Sequence, residues 1–192
     1  YGWLTGIEQR TKVSENLLFL IRRICADSLV TSTERLQLLK ALKSVCNQAS
    51  KKEKGNAFEE YVITRFDNRE YELIEWRSDK EIQGWGFPLS IQWPDIVMRK
   101  KSSNKLFAIE CKYKSFFCST TKWAEEYQIH NYQRFQSDHN MLVFVALGVG
   151  GCASLPDKFY VARLNQMETP ILPCKYLERF LIKDTVLQLS LE

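Results

Sequence analysis

Along this chain the apolar positions switch between two periods, and each switch marks an element. Near the N-terminus they recur every three to four residues. Ser14 is placed to cap a helix through Leu17, Leu18, Leu20 and Ile21, and Thr31-x-x-Glu34 is a capping-box pattern that opens a second helix. In that second helix Leu38, Leu39, Leu42 and Val45 form the apolar stripe while Arg35, Lys40, Lys43 and Asn47 face away. A helical hairpin is predicted over about 14–50.

The basic run Lys51-Lys52-Glu53-Lys54 then reads as a linker into a helix over Gly55–Phe66. There Phe58, Val62, Ile63 and Phe66 share an arc that includes Glu59, whereas Glu60 lies opposite. A charge on the apolar face needs a partner or a metal, so Glu59 is the inward carboxylate. The period next falls to two or to continuous apolar runs. Strands are predicted at Tyr71–Trp76, at Asp95-Ile-Val-Met, at Leu106–Ile109, at Met141–Leu147 and at Phe159–Leu164. A loop through Gly84, Gly86 and Pro88 leads to the hairpin formed by the second and third of these. Lys122–Ser137 is predicted helical, Gly148-Val-Gly-Gly151 ends a strand, and a helix near Tyr176–Ile182 and a short strand near Val186–Leu191 close the chain.

Composition adds bounds. The 192 residues are 45% hydrophobic and 26% charged, enough for one real core and an appended helical piece. No apolar run approaches the roughly 20 residues that span a bilayer, and no signal peptide is evident, so an intracellular protein without a membrane partner is expected. A chain that begins at Tyr1 reads as a fragment or trimmed piece, with further domains or a homodimer left open. Six cysteines without a C-x-x-C pair read as reduced thiols, not as zinc or cluster ligands. Net charge is +4, but residues 1–54 carry ten cations against five anions, which is compatible with a polyanion partner.

The sharpest chemistry lies between Pro94-Asp95 and Glu110-Cys111-Lys112. Fourteen residues separate Asp95 from Glu110, and both sit at the ends of buried strands. The two-residue period sends Glu110 and Lys112 to one face and Cys111 away from it, and Asp95 can join them from the neighbouring strand. Hard divalent cations such as Mg2+ take oxygen ligands, so two or three carboxylates plus a substrate phosphate suit them. A lysine ammonium beside them can position a water or take its proton, and it offsets charge on a phosphate.

Taken in order, Gly55-x-x-x-Glu59 on a helix, Pro94-Asp95, Glu110-x-Lys112 and Gln128-x-x-x-Tyr132 on a helix resemble the PD-(D/E)xK nuclease superfamily. The Gln-x-x-x-Tyr element is similar to that of its RecB-like branch, and Gly-x-x-x-Glu to that of archaeal Holliday-junction resolvases. The resemblance covers about 54–165. It implies an α/β, restriction-endonuclease-like mixed central sheet flanked by helices, here with the N-terminal helical hairpin added, and a division into 1–53 and 54–192. It further implies that Asp95 and Glu110 bind a metal, with Glu59 and the Cys111 backbone carbonyl assisting, that Lys112 acts on the nucleophilic water, and that Gln128 and Tyr132 order Lys112 or touch DNA. Mg2+, replaceable by Mn2+, is the implied cofactor and DNA the implied partner, with Lys54, Lys114, Arg35, Lys40 and Lys43 as candidate backbone contacts. Some RecB-like members hold an iron–sulfur cluster on cysteines; the spacing here does not support one.

Other features carry less. His130 and His139 read as surface or core residues, and Gly148–Gly151 lacks the Lys-Ser/Thr of a phosphate loop. Trp76, Trp85, Trp93 and Trp123 fit packing better than base stacking, while Arg77, Asp79 and Lys80 either approach the site or end a solvated strand. The function expected is a metal-dependent deoxyribonuclease for repair, recombination or restriction of foreign DNA. Its competitor is an inactive nuclease-fold module that binds DNA or scaffolds a larger complex.

Overall fold

The computed structural model describes residues 19–22, 31–77, 93–116 and 119–191, without the side chains of 43–48. The chain divides between Ser50 and Lys51 into two compact units. In the first, helix α1 (Ser32–Gln48) opens on its capping box: the Thr31 hydroxyl accepts the Glu34 N–H at 3.2 Å, and the Glu34 carboxylate accepts the Thr31 N–H at 3.1 Å. Residues 19–22 are helical; Ser14 and most of that predicted helix lie outside the described residues. The α1 stripe is narrower than its pattern suggests, because Leu38 and Leu42 are half-buried but Leu39 is 46% exposed.

The second unit begins with α2 (Lys51–Thr64), so the basic run expected to be a linker is the first turn of a helix. Lysine and glutamate are good helix formers, and the single interior Gly55 costs only about 1 kcal/mol relative to alanine, too little to break a helix that buries Phe58 and Val62. Next come β1 (Tyr71–Trp76), β2 (Ile96–Lys100), β3 (Lys105–Lys114), β4 (Thr120–Lys122), α3 (Glu126–His139), β5 (Leu142–Val149), β6 (Lys158–Arg163), β7 (Ile171–Pro173) and α4 (Cys174–Leu177). Five strands form the central sheet in the order β1-β2-β3-β5-β6. Its pairs are antiparallel except β3 with β5, which run parallel and are joined through α3. This is the mixed sheet flanked by helices that the motif order implies.

Each face of the sheet carries a core, and the two-residue period assigns the residues. Ala108, Val143, Val145 and Leu147 pack with Ile129, Tyr132 and Phe135 of α3. Phe107, Ile109, Phe144 and Ala146 pack with Phe58 and Val62 of α2 and with Phe66 just after it. Thus β3 and β5, buried on both sides, read as continuous apolar runs. At Gly148 a Cβ would lie 2.3 Å from the Phe58 ring, so only glycine lets α2 approach β5 this closely. Gly150 and Gly151 take φ values of 71° and 60° and turn the chain after β5 as expected.

Three predicted elements shift. The helix expected from Lys122 begins at Glu126, because Lys122 pairs with Ile171 in the β4–β7 ladder. The helix expected near Tyr176–Ile182 is α4 followed by a 3-10 turn at Glu178–Phe180. The predicted terminal strand keeps its alternation, with Leu187, Leu189 and Leu191 buried, yet forms no ladder: the Leu187 N–H donates to the Arg65 carbonyl and the Leu189 N–H to the Tyr71 hydroxyl. The cysteines also need correction. Cys111 and Cys174 are not in disulfides, but Cys152 is disulfide-bonded, against the reduced state expected for all six. No described helix is long and apolar enough to cross a membrane.

Candidate active site

The β2–β3 register sets the two motif carboxylates side by side. Ile96 faces Ile109, so Asp95 stands just before β2 at the level of Glu110. The strand begins only at Ile96, and at this end of the ladder the Cys111 N–H donates to the Asp95 side chain, Oδ2 at 2.7 Å, in place of a strand carbonyl. Glu110 and Lys112 share the α3 face of β3. There Glu110, only 2% exposed, accepts two donors on one oxygen: Lys112 Nζ lies 2.5 Å from Oε1, and the Tyr132 hydroxyl of α3 donates to the same atom at 2.6 Å. The other oxygen, Oε2, is buried and has no hydrogen-bond partner among the described residues.

Glu59 reaches the site from α2. It is 8% exposed while Glu60 is exposed, and its Oε2 accepts the indole N–H of Trp76 at 2.7 Å. That indole donor escaped the sequence reading. No local signal marks it: Tyr71 and Trp76 lie five residues apart, and only the register shift between Leu73 and Glu75 brings both to the α2 face.

The electrostatics follow from three carboxylates gathered near one ammonium. Burial, then the charges of Glu110 and Glu59, hold the Asp95 carboxyl well above its usual value, although the Cys111 N–H and Lys112 oppose this. Burial by itself would make Lys112 less basic, but the charge and hydrogen bond of Glu110 outweigh it and the ammonium is held above its usual value. Burial and the Glu110 charge also push the Tyr132 phenol up, so it remains a donor. The Cys111 thiol is raised by burial and by the three carboxylates, which leaves it unsuited to nucleophilic work.

Among the described residues no group of three or more His, Cys, Asp or Glu side chains converges to metal-ligand distance. Glu59 and Glu110 are nevertheless each close enough to act on Asp95 electrostatically. The donor chemistry fits a hard divalent cation. Its atoms are carboxylate oxygens carrying more negative charge than Lys112 offsets, and the buried Glu110 Oε2 lacks a donor of its own.

The remaining candidates divide. Gln128 is not brought to Lys112: its side-chain oxygen accepts the Glu125 N–H at 2.9 Å and closes a capping box at the start of α3, which a helix beginning at Lys122 would not have needed. Lys114 is half-buried on the same face of β3 as Lys112, and burial, then Lys112 and Lys122, lower its basicity. Lys54 is half-buried on α2. Arg35 and Lys40 are exposed on α1, and the Lys43 side chain lies outside the described residues. His130 and His139 turn their Nδ1 atoms to the carbonyls of Glu126 and Phe135 within α3. Trp123 is fully buried and donates to the Thr169 carbonyl, Trp93 packs on Phe135, and Trp85, Asp79 and Lys80 lie outside the described residues. A cleft of about 470 Å³ lies at the start of β3, lined by Asn104, Lys105, His139 and Leu191, and contains none of the carboxylates.

No protein-family model matches the chain, and no curated protein matches it. Among solved structures it is similar to a Holliday junction resolvase of Archaeoglobus fulgidus, an archaeal hyperthermophile. The two are 15% identical with a TM-score of 0.46, over 65% of this chain and 93% of that one. At that distance the likeness carries no inference about activity.

Proposed function

We propose that the protein is a Mg2+-dependent deoxyribonuclease that hydrolyses phosphodiester bonds. The observation that carries this reading is Glu110: one oxygen is held by Lys112 and Tyr132, while the other is buried without a donor among the described residues. A structural ion pair needs no such orphan, whereas a cation site does. Asp95, Glu110 Oε2, Glu59 and the Cys111 carbonyl are the groups that would hold Mg2+, and Mn2+ could take its place. Bound there, the cation would make a nucleophile available near neutral pH and offset phosphate charge.

The chain's own residues supply the rest. Tyr132 and Lys112 fix the Glu110 carboxylate through Oε1, which limits how far the carboxylate can rotate and leaves Oε2 available to a ligand. The Lys112 ammonium, 23% exposed, provides a positive charge at the rim, where an attacking water or a phosphate oxygen could reach it. The basic residues Lys54, Lys114, Arg35, Lys40 and Lys43 are candidates for contacts to the flanking DNA backbone. Repair, recombination and restriction of foreign DNA are all compatible with such an activity.

A nuclease-fold module that binds DNA without cutting it is the second reading. The 2.5 Å contact between Lys112 and Glu110 favours it, because it occupies both groups with each other. Incubation with supercoiled plasmid, linear duplex, single-stranded and branched DNA, in Mg2+, Mn2+ or EDTA, separates the two. Cleavage that requires the cation and is lost in Glu110→Gln supports the nuclease; binding without cleavage in every condition supports the module.

A further inference from the structure

The pair Trp76–Arg77 lies where β1 ends, and it touches the supports of two carboxylates that reach the site from different elements. The Trp76 indole N–H donates to Glu59 Oε2 at 2.7 Å, which ties α2 to the sheet edge at the carboxylate itself. Arg77 holds the strand entry that bears Asp95. Its main-chain N–H donates to the Asp95 carbonyl at 2.8 Å, and its Nη1 donates to the Pro94 carbonyl at 2.8 Å.

The arginine is itself fixed. Glu75 grips the guanidinium through Nε at 2.7 Å and Nη2 at 2.5 Å, and the cation lies 5.1 Å from the Trp93 ring centre and 5.6 Å from that of Phe135 on α3. Its side chain is only 13% exposed, so it is not a solvated strand end. A planar fork is needed to reach Glu75 and Pro94 at once, and a lysine could not do both. Asp95 is thereby anchored twice, through its main chain by Arg77 and through its carboxylate by the Cys111 N–H.

We infer that Trp76 and Arg77 are positioning residues that aim Glu59 and Asp95 at a shared divalent cation, Trp76 by a hydrogen bond to the carboxylate and Arg77 by holding the Pro94–Asp95 backbone. The inference rests on the metal-dependent reading above. Outer hydrogen bonds of this kind change metal affinity by about 10–100-fold when removed, because they set the orientation of the liganding group.

The test is isothermal calorimetry of Mg2+ binding, without DNA, to wild type, Trp76→Phe and Arg77→Lys, with steady-state cleavage measured alongside. Trp76→Phe keeps the ring and deletes the N–H; Arg77→Lys keeps the charge and deletes the fork. Each should weaken Mg2+ by about tenfold or more and lower kcat more than it raises KM. Arg77→Lys acts through Asp95 independently of Glu59, so a Trp76→Phe protein that failed to fold would leave the test standing. Unchanged Mg2+ affinity in the folded variants, against a wild type that binds Mg2+, overturns this inference and leaves the nuclease reading intact. A wild type that binds no Mg2+ overturns the reading beneath it.

Discussion

The Tyr132 hydroxyl donates to Glu110 Oε1 at 2.6 Å, joining the helix on one face of the sheet to the buried carboxylate of the central strand. Tyr132 is itself buried and stacks near Trp123, with ring centres 6.5 Å apart, so the ring is held by packing and the hydroxyl by its acceptor.

Removing only that hydroxyl therefore isolates the hydrogen bond. Tyr132→Phe should destabilise the protein by about 1–3 kcal/mol in urea denaturation, since a buried acceptor loses one of its two donors while the ring packing survives. Mg2+ affinity should fall as well, because Glu110 is then oriented by Lys112 alone. An unchanged midpoint and unchanged Mg2+ binding would show that the bond does not matter to the site.

Lys112→Ala should lower DNA cleavage by at least about a hundredfold while leaving DNA binding nearly unchanged, because one phosphate contact is a small part of a polyelectrolyte interaction. Single-turnover cleavage and fluorescence polarisation measure the two separately. Wild-type cleavage in this variant would remove Lys112 from the reaction.

Lys114 follows Lys112 by two residues on the same strand face, half-buried and with its basicity lowered first by burial and then by Lys112 and Lys122. An anion would relieve that cluster. Lys114→Ala should weaken duplex binding and reduce the slope of log K against log salt by about 0.9, the value of one phosphate contact. An identical slope would mean that Lys114 does not meet the backbone.

Much of this was legible in the sequence, for definite reasons. β2, β3, β5 and β6 were visible because strands buried on one or both faces impose a two-residue or continuous apolar pattern, and Glu59 stood out because a charge interrupts an apolar arc. The misses concern tertiary choices that local pattern does not encode. Gln128 shares a helix face with Tyr132, but the actual start of α3 turns it into a capping residue. Leu187, Leu189 and Leu191 alternate like a strand, yet the N–H groups of Leu187 and Leu189 go to a lone carbonyl and a hydroxyl, and the carbonyls of Leu189, Ser190 and Leu191 accept from the side chains of Lys100, Arg163 and Lys105. Trp76 and the Cys152 disulfide depend on which elements meet in space, as does the choice left open for Arg77 between approaching the site and ending a solvated strand.

Asp95 gives a pH dependence whose sign is fixed. Its folded-state carboxyl lies above the ordinary 3.8 because of burial, Glu110 and Glu59, so the folded protein holds this proton more tightly than the unfolded chain. The stability this contributes is full below about pH 3.8 and is lost as pH rises through the folded value. In EDTA, Asp95→Asn should accordingly gain on wild type as pH is raised from 4 to 7, as measured by urea denaturation. A gap that narrows over that range would mean Asp95 is favoured as the carboxylate.

The most direct measurement of the central claim is the melting temperature of wild type and Asp95→Asn, side by side, across a Mg2+ titration. Mg2+ at a hundred times its dissociation constant adds about 2.7 kcal/mol, which corresponds to a rise of roughly 5–10 °C for a protein of this size. Wild type should show that rise; Asp95→Asn should melt at or above wild type without Mg2+ and move little with it. A full Mg2+ shift in Asp95→Asn, or none in wild type, would contradict a divalent-cation site built on Asp95 and Glu110.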